Sequence, residues 1–281
     1  MVAPAPQNSI TVGDIRLTFL PDGEAYFAPT GMFPGTTEES WQNHQQWLNE
    51  QGRYVTTLGA FLVETGDRKI VVDLGIGTVD MEVPDFVRAT GGRFLDSLRA
   101  AGLTPEAVDT VVYTHMHSDH TGWTTGGDKT ITFSNANHII GSSAEFDYWR
   151  DNPDAAFAPP AETVLDPVQN RIETAGDGYR VAPGVTLRAT PGHTPGHQSV
   201  VLSSGADRAM IMGDVMHCPA QLLEPDWSVL FDVDADVARR TRDALLDELE
   251  GTDTVLGCSH FPDSVFGRVV PAQGKRMWQL A

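Results

Sequence analysis

Three histidines and an aspartate stand within six positions of the stretch "YTHMHSDHTGW" (113–123): His115, His117, Asp119 and His120. They follow directly on "TVVYTH" (110–115), an apolar, β-branched run that has the pattern of a buried strand. Any fold that buries this strand must also give the polar groups at its C-terminal end a partner. In extended chain alternate side chains point to the same side, so the imidazoles of His115 and His117 can reach one metal ion. Asp119 and His120 lie just beyond, where Ser118 and Gly122 allow a turn into a helix, and can serve a second ion. Imidazole nitrogen with carboxylate oxygen suits zinc, and less selectively manganese, iron or cobalt.

Further ligands are needed, and three candidates stand at the ends of expected strands. "TPGHTPGH" (190–197) places His193 in a Gly/Pro turn, "MGDVMH" (212–217) places Asp214 at a strand end, and "GCSH" (257–260) does the same for His260. A carboxylate has two oxygens and can bridge two cations, a role that falls to Asp214. The expected set is His115, His117, His193 and Asp214 on one divalent metal, with Asp119, His120, Asp214 and His260 on the other. His217 follows Asp214 by three residues, near the metals without being needed by them. His197 fits a structural or supporting role, and His44 and His138 a place on the surface or in the core.

Strands are expected at "SITVGDIRLTFL" (9–20), "TTLGAFLVET" (56–65), "KIVVDLG" (69–75) and "TITFSNANHII" (130–140). The second half adds "GVTLRAT" (184–190), "QSVVLSS" (198–204) and "RAMIMGD" (208–214), with "TDTVLGCSH" (252–260) as a last strand. Helical spacing appears at 93–102, 142–150 and, most clearly, at 235–250. Strands in both halves with helices between them predict two packed sheets covered by helices, an α/β (α+β) architecture in one domain over residues 1–281. Residues 22–55 are the irregular part, but Tyr26, Phe27, Phe33, Trp41, Trp47 and Tyr54 are too many aromatics for a solvated linker. This segment is expected to pack on the domain.

Composition narrows the partners. The chain of 281 residues is 41% hydrophobic and 20% charged, which is ordinary for a globular protein, and 38 acids against 19 bases leave a net charge of −19. Such a surface repels phosphate backbones and anionic membranes, so neither nucleic acid nor a membrane is an expected partner. Two cysteines, Cys218 and Cys258, are too few for a disulfide framework and fit a reducing cytoplasm. The opening "MVAPAPQNSI" lacks the basic and apolar regions of a signal peptide.

In order along the chain, "VVDLG", "THMHSDHTG", "PGHTPGH", "GD" and "SH" resemble the metallo-β-lactamase-fold hydrolases. The match runs from Asp73 to His260, about two thirds of the chain. The resemblance implies an αββα four-layer sandwich with the metals at one edge between the sheets. It also implies a supporting role for Asp73, since a metal-bound imidazole needs an acceptor for its other N–H. Within the family the chain looks most like the branch of lactonases and methyl-parathion-hydrolase-like enzymes, in which residues 22–55 would cover the pocket or form a homodimer contact. Lactonase-like members carry a substrate-contacting tyrosine where this chain has His217, a substitution similar to the organophosphate-hydrolysing members.

The expected function is therefore a binuclear metal-dependent hydrolase. Two dications would hold a bridging hydroxide that attacks a small-molecule lactone, carboxylic ester or phosphotriester. Asp119, as ligand and acid/base, and His217, as a substrate-side donor, are the expected catalytic residues. Glyoxalase-type thioesterases share the ligands but bind an anionic glutathione moiety with basic residues, and only Arg268, Lys275 and Arg276 follow His260 here. Mononuclear iron persulfide dioxygenases use positions corresponding to His115, His193 and Asp214, and remain the alternative from another reaction class.

Overall fold

A computed structural model of the chain describes residues 1–272 and 274–281. The first sheet is built from β1 (Asn8–Val12), β2 (Ile15–Phe27), β3 (Tyr54–Thr65), β4 (Arg68–Val72), β5 (Asp80–Val83), β6 (Val87–Thr90), β7 (Thr110–Val112), β8 (Asn137–Ile140) and β9 (Ile172–Thr174). The second holds β10 (Arg180–Ala182), β11 (Val185–Ala189), β12 (Gln198–Ser204), β13 (Asp207–Ile211), β14 (Val255–Gly257), β15 (Phe266–Ala272) and β16 (Lys275–Leu280). The orders are β5-β6-β2-β3-β4-β7-β8-β9, with β1 paired to β2, and β10 through β16 in sequence.

Alternation along these strands creates the layers. Leu17, Phe19, Phe61, Val63, Ile70 and Val72 of the first sheet meet Val185, Leu187, Val200, Leu202, Ala209 and Ile211 of the second in a shared core. The intervening residues face outward to helices: Ala60, Leu62 and Val71 pack with Phe94, Leu98 and Trp149, and Met210 and Leu256 with Leu245, Leu246 and Leu249. Helix, sheet, sheet and helix are thus stacked, and each fully buried large side chain contributes roughly 1.5–3 kcal/mol. The helix Ser143–Asp151 is capped by Ser142, which accepts from the Ala144 amide, and Ala235–Leu249 by Asp234, which accepts from Val237. No helix among the described residues is long and apolar enough to cross a membrane.

Several sequence expectations need correction. Residues 9–20 are two strands, because Gly13 at φ +56° turns the chain between β1 and β2. Only Asn137–Ile140 of 130–140 is strand. The preceding residues form turns that insert Phe133 into the helix-covered core beside Phe94. The first residues of 22–55 continue β2 to Phe27. The strand within 252–260 is short and is not the last, since β15 and β16 follow it antiparallel. The hairpin β5–β6 is also unanticipated, and its outer strand is exposed at every position.

The sheets direct their functional loops to one edge. β4 and β7 run parallel, as do β13 and β14, so the loops after all four emerge on the same side of their sheets. These loops carry Asp73, His115 to His120, Asp214 and His260, and the β11–β12 connection adds His193.

Candidate metal centre

The motif after β7 leaves the strand and enters a one-turn helix, Ser118–Thr121, which brings Asp119 and His120 round beside His115 and His117. Gly122 closes the turn against the β4 loop: a Cβ there would lie 2.0 Å from the Ile76 carbonyl carbon. All seven residues expected as ligands converge. His115, His117, His193 and Asp214 form one group and Asp119, His120 and His260 a second, each with ligand-type atoms within 4.8 Å of one another. His115 Nε2 lies 3.0 Å from His117 Nδ1, which is 2.9 Å from His193 Nε2.

Asp214 joins the two groups. Its Oδ2 is 3.3 Å from His193 Nε2 and 3.1 Å from His260 Nε2, while His120 Nε2 approaches Oδ1 at 3.2 Å. Gly213, at φ +59°, permits this placement, because a Cβ would meet His197 Nε2 at 2.6 Å. His197 answers its sequence expectation as a supporting residue: Nε2 accepts from the Asp214 amide at 2.9 Å, and Nδ1 donates to the Thr190 carbonyl. Burial, reinforced by nearby His193, pushes His197 down to about 3, which keeps it an acceptor.

The remote nitrogens of His115, His120, His193 and His260 are held from outside. Asp73 Oδ2 is 2.9 Å from His120 Nδ1, and its carboxylate also accepts from the amide and hydroxyl of Thr114. Asp73 sits at φ +65° where β4 ends, a left-handed conformation that aspartate tolerates better than most residues. Thr114 Oγ1 is 3.0 Å from His115 Nδ1, Asp232 Oδ1 is 2.8 Å from His193 Nδ1, and the Thr57 carbonyl is 3.1 Å from His260 Nδ1.

This donor set fits divalent metal ions. His120 and His260, each with its remote N–H engaged elsewhere, turn bare Nε2 lone pairs toward one another at 3.3 Å and toward the Asp214 carboxylate, a repulsive arrangement unless a cation lies between them. Asp214 Oδ1 is also buried and accepts no hydrogen bond. In the absence of metal, protons take up part of this burden. Burial opposes charge on His193, but Asp214 and Asp232 outweigh it and raise the ring to about 9. Burial likewise opposes charge on His120 and His260, and Asp214 above all overcomes it. His115 and His117 are driven well below the usual range, by burial first and neighbouring imidazoles second. Burial would raise Asp214, but His120, His260, His217 and His115 together hold it far below a normal carboxyl.

His217 also groups with Asp214 and His260, ligand-type atoms within 4.8 Å, but its other nitrogen is not held from outside. Its Nε2 is 3.1 Å from Asp214 Oδ2 and its ring stacks on His260 at 5.4 Å, yet Nδ1 is buried without a partner. Asp119 retains 19% side-chain exposure and faces a cavity. The polar end of that cavity is formed by His117, Asp119, His193, Asp214, His217 and His260. Its walls are apolar: Phe27, Met32, Ile76, Val87, Phe157 and Phe231, with no arginine or lysine among the described lining residues. Phe27 and Met32 come from residues 22–55, whose other aromatics, Phe33, Trp41 and Tyr54, pack with Trp227. Phe231 bridges Phe27 and Phe157, at 5.7 and 4.4 Å between ring centroids.

Four carboxyl and aromatic contributors escape sequence analysis. Glu145, buried in a helix, accepts from Met116, Gly196 and Trp149, tying the loop of His115 and His117 to the loop of His193. Asp22, buried at the bend of β2, accepts from the amides of Ile76, Gly77, Gly92 and Phe94 and from Trp123 Nε1. Asp232 and Phe157 complete the set, and none stands in a recognisable local pattern. Cys218 and Cys258 are free and buried. His138 is a core residue, 3.0 Å from the Tyr113 hydroxyl, and His44 is buried against Trp41 and Trp227.

Comparison with known proteins agrees with this geometry. An N-acyl homoserine lactonase from Bacillus sp is 29% identical over 156 residues, covering 51% of this chain and 57% of the relative. The N-acyl homoserine lactonase of Bacillus thuringiensis is 22% identical over 209 residues, 70% of this chain and 74% of its own. Thus the chain spans little more than half the length of the first of these curated relatives. Among solved structures, AidC, described as a dizinc quorum-quenching lactonase, superposes with TM-score 0.86 at 23% identity over 99% of this chain and 98% of its own. The hydrolase AbOPH, described as of the beta-lactamase superfamily, gives 0.84 at 26% identity over the same shares. Residues 60–260 match the Metallo-beta-lactamase superfamily, and with its two helix-covered sheets and their shared His/Asp edge the chain belongs to that family.

Proposed function

We propose that the chain is a binuclear metal-dependent hydrolase acting on neutral esters with an apolar arm, lactones foremost. The observation that carries this is Asp214, whose carboxylate lies between two groups of ligand-type side chains at the floor of a cationless apolar cavity. In this reading His115, His117, His193 and Asp214 hold one ion, and Asp119, His120, Asp214 and His260 the other. Bound divalent ions would supply a water activated at neutral pH and polarise the substrate oxygen, zinc suiting the N/O donor set best.

The chain's own residues account for the remainder. Water adds to the carbonyl carbon, the ring C–O bond breaks, and the proton from that water reaches the leaving alkoxide through the Asp119 carboxylate, which lines the cavity. His217, whose single N–H on Nε2 rests on Asp214 in the free chain, turns that N–H to the reacting oxygen. The apolar arm lies among Phe27, Met32, Phe157 and Phe231, which exclude bulk water. The lactonase names of the relatives favour a lactone as electrophile. A neutral phosphotriester is the second reading, favoured by histidine at position 217. The absence of a lining cation disfavours anionic substrates such as glutathione thioesters, and the second ligand group disfavours a mononuclear iron dioxygenase.

The test is turnover of an N-acyl lactone, an aryl ester and a phosphotriester by parent, His217→Ala and His217→Tyr, with metals counted in each. Loss of one positioned donor costs on the order of 10²–10⁴-fold. The expected outcome is lactone turnover abolished by chelator, reduced by that factor in His217→Ala at unchanged metal content, and tilted further toward lactones in His217→Tyr. Variants that match the parent on every substrate remove His217 from the mechanism; chelator-insensitive turnover overturns the function.

A further inference from the structure

Each ligand group contains one imidazole backed by a buried carboxylate. In the second group it is His120, backed by Asp73. In the first it is His193, backed by Asp232, with both side chains almost fully buried and 2.8 Å between Nδ1 and Oδ1. We propose that Asp232 is a positioning residue, the counterpart of Asp73, which fixes the tautomer of His193 and strengthens it as a donor to the first metal. This rests on the metal-site reading above.

The surrounding structure holds Asp232 against His193 and leaves the carboxylate little other work. The Val233 amide donates to the His193 carbonyl at 2.9 Å and the Asp234 amide to the Gly192 carbonyl at 3.0 Å, so two backbone bonds set the register beside the ring. Asp234 then caps the helix Ala235–Leu249, and Gly192, at φ +129°, lets that helix approach: a Cβ would lie 2.1 Å from the Ala238 nitrogen. Arg242 of the same helix, 1% exposed, donates to the Pro225 and Trp227 carbonyls and pins the start of the segment. The other carboxylate oxygen of Asp232 accepts from the Val229 amide at 3.3 Å, a long bond. Asp232 is therefore held by its own backbone and aimed at His193. A carboxylate in this place donates electron density through the ring and keeps the proton on Nδ1, leaving the Nε2 lone pair for the metal. The adjacent residue, Phe231, lines the cavity, so one short segment shapes both the apolar wall and the first metal group.

Loss of such a partner typically weakens metal affinity 10–100-fold. The test is stepwise zinc and cobalt(II) binding, by competition with a chelating dye, to the parent, Asp232→Asn, Asp73→Asn and the double variant, with thermal unfolding of each metal-free protein alongside. Asp232→Asn should weaken one step by about 10–100-fold and shift the cobalt absorption of that site, leaving the other step within a factor of about two. Asp73→Asn should weaken the opposite step, and the double variant both. Asp232→Glu, which keeps the charge, should recover part of the loss. An Asp232→Asn protein with both steps and the cobalt spectrum unchanged overturns the proposal. So does one that loses both steps together with metal-free stability, since Asp232 would then serve the fold alone. A parent that takes up no metal overturns the function as well, whereas a two-metal parent with an indifferent Asp232→Asn overturns only this inference.

Discussion

The floor and the walls of the cavity are built by different means. The floor comes from four strand-end loops, each set where two sheets converge, and is composed of side chains of metal-ligand type. The walls come from β2, the one-turn helix Pro29–Met32, β6 and the segments around Phe157 and Phe231, and need only be apolar and of suitable size. On the proposed function the labour is divided: the floor would decide what kind of bond is broken, and the walls which molecule presents it. Substitutions in the two regions should therefore fail differently.

The largest effect belongs to the floor. Asp214→Ala removes the carboxylate common to both ligand groups and should lower turnover on the order of 10⁴-fold or more, beyond the loss of one acid–base group, with metal content falling in parallel. His260→Ala removes a ligand from the second group alone, so excess metal should restore part of its activity. If Asp214→Ala keeps its metals and the floor still works, the two groups are independent and the comparison breaks.

A wall substitution should leave the floor intact. Phe231→Ala opens the contact with Phe27 and Phe157 and removes apolar area worth roughly 1–3 kcal/mol to a bound apolar arm. The measurement is kcat/KM across a series of acyl lengths. A loss on the order of 10-fold for long arms, little loss for short ones and unchanged metal content are expected. Equal loss at every length would assign Phe231 to the floor through its neighbour Asp232.

The sequence displays the floor more openly than the walls for the same reason. Ligand chemistry restricts residue type at close spacing, so His115, His117, Asp119 and His120 stand out beside an apolar strand, and His193, Asp214 and His260 stand at the ends of others. The sandwich is legible because β3, β4, β12 and β13 alternate between the shared core and the helices. The hairpin β5–β6 is not, because β5 is exposed throughout and is held by backbone pairing and an Arg88–Asp80 ion pair rather than by an apolar face. Phe133 belongs to a turn whose place is decided by Phe94, far off in sequence. Glu145, Asp22 and Asp232 look like surface acids, because the amides and imidazole that occupy them arrive only with the tertiary fold. A histidine outside the motifs, His138, takes the core place that the sequence left open to it.

His138 sharpens that last point with the smallest effect. It lies behind the floor, hydrogen-bonded to Tyr113 of the segment that delivers the motif, and burial lowers it to about 4. Between about 4 and the unfolded value of 6.5 the unfolded chain binds a proton that the folded chain refuses. Its contribution to stability is thus complete above pH 6.5 and is lost as the pH falls toward 4, by up to roughly 3 kcal/mol. His138→Gln should flatten this part of the pH dependence of urea unfolding while leaving metal content and turnover unchanged. A loss of metal in that variant would extend the floor to a residue assigned here to the core.

Whether one carboxylate joins two metal sites is decided by elemental analysis of protein purified without chelator. About two equivalents of divalent metal per chain are expected, zinc foremost, falling together in Asp214→Ala. A reproducible single iron, unchanged by added zinc and accompanied by oxygen consumption on a persulfide, would contradict the two-metal reading.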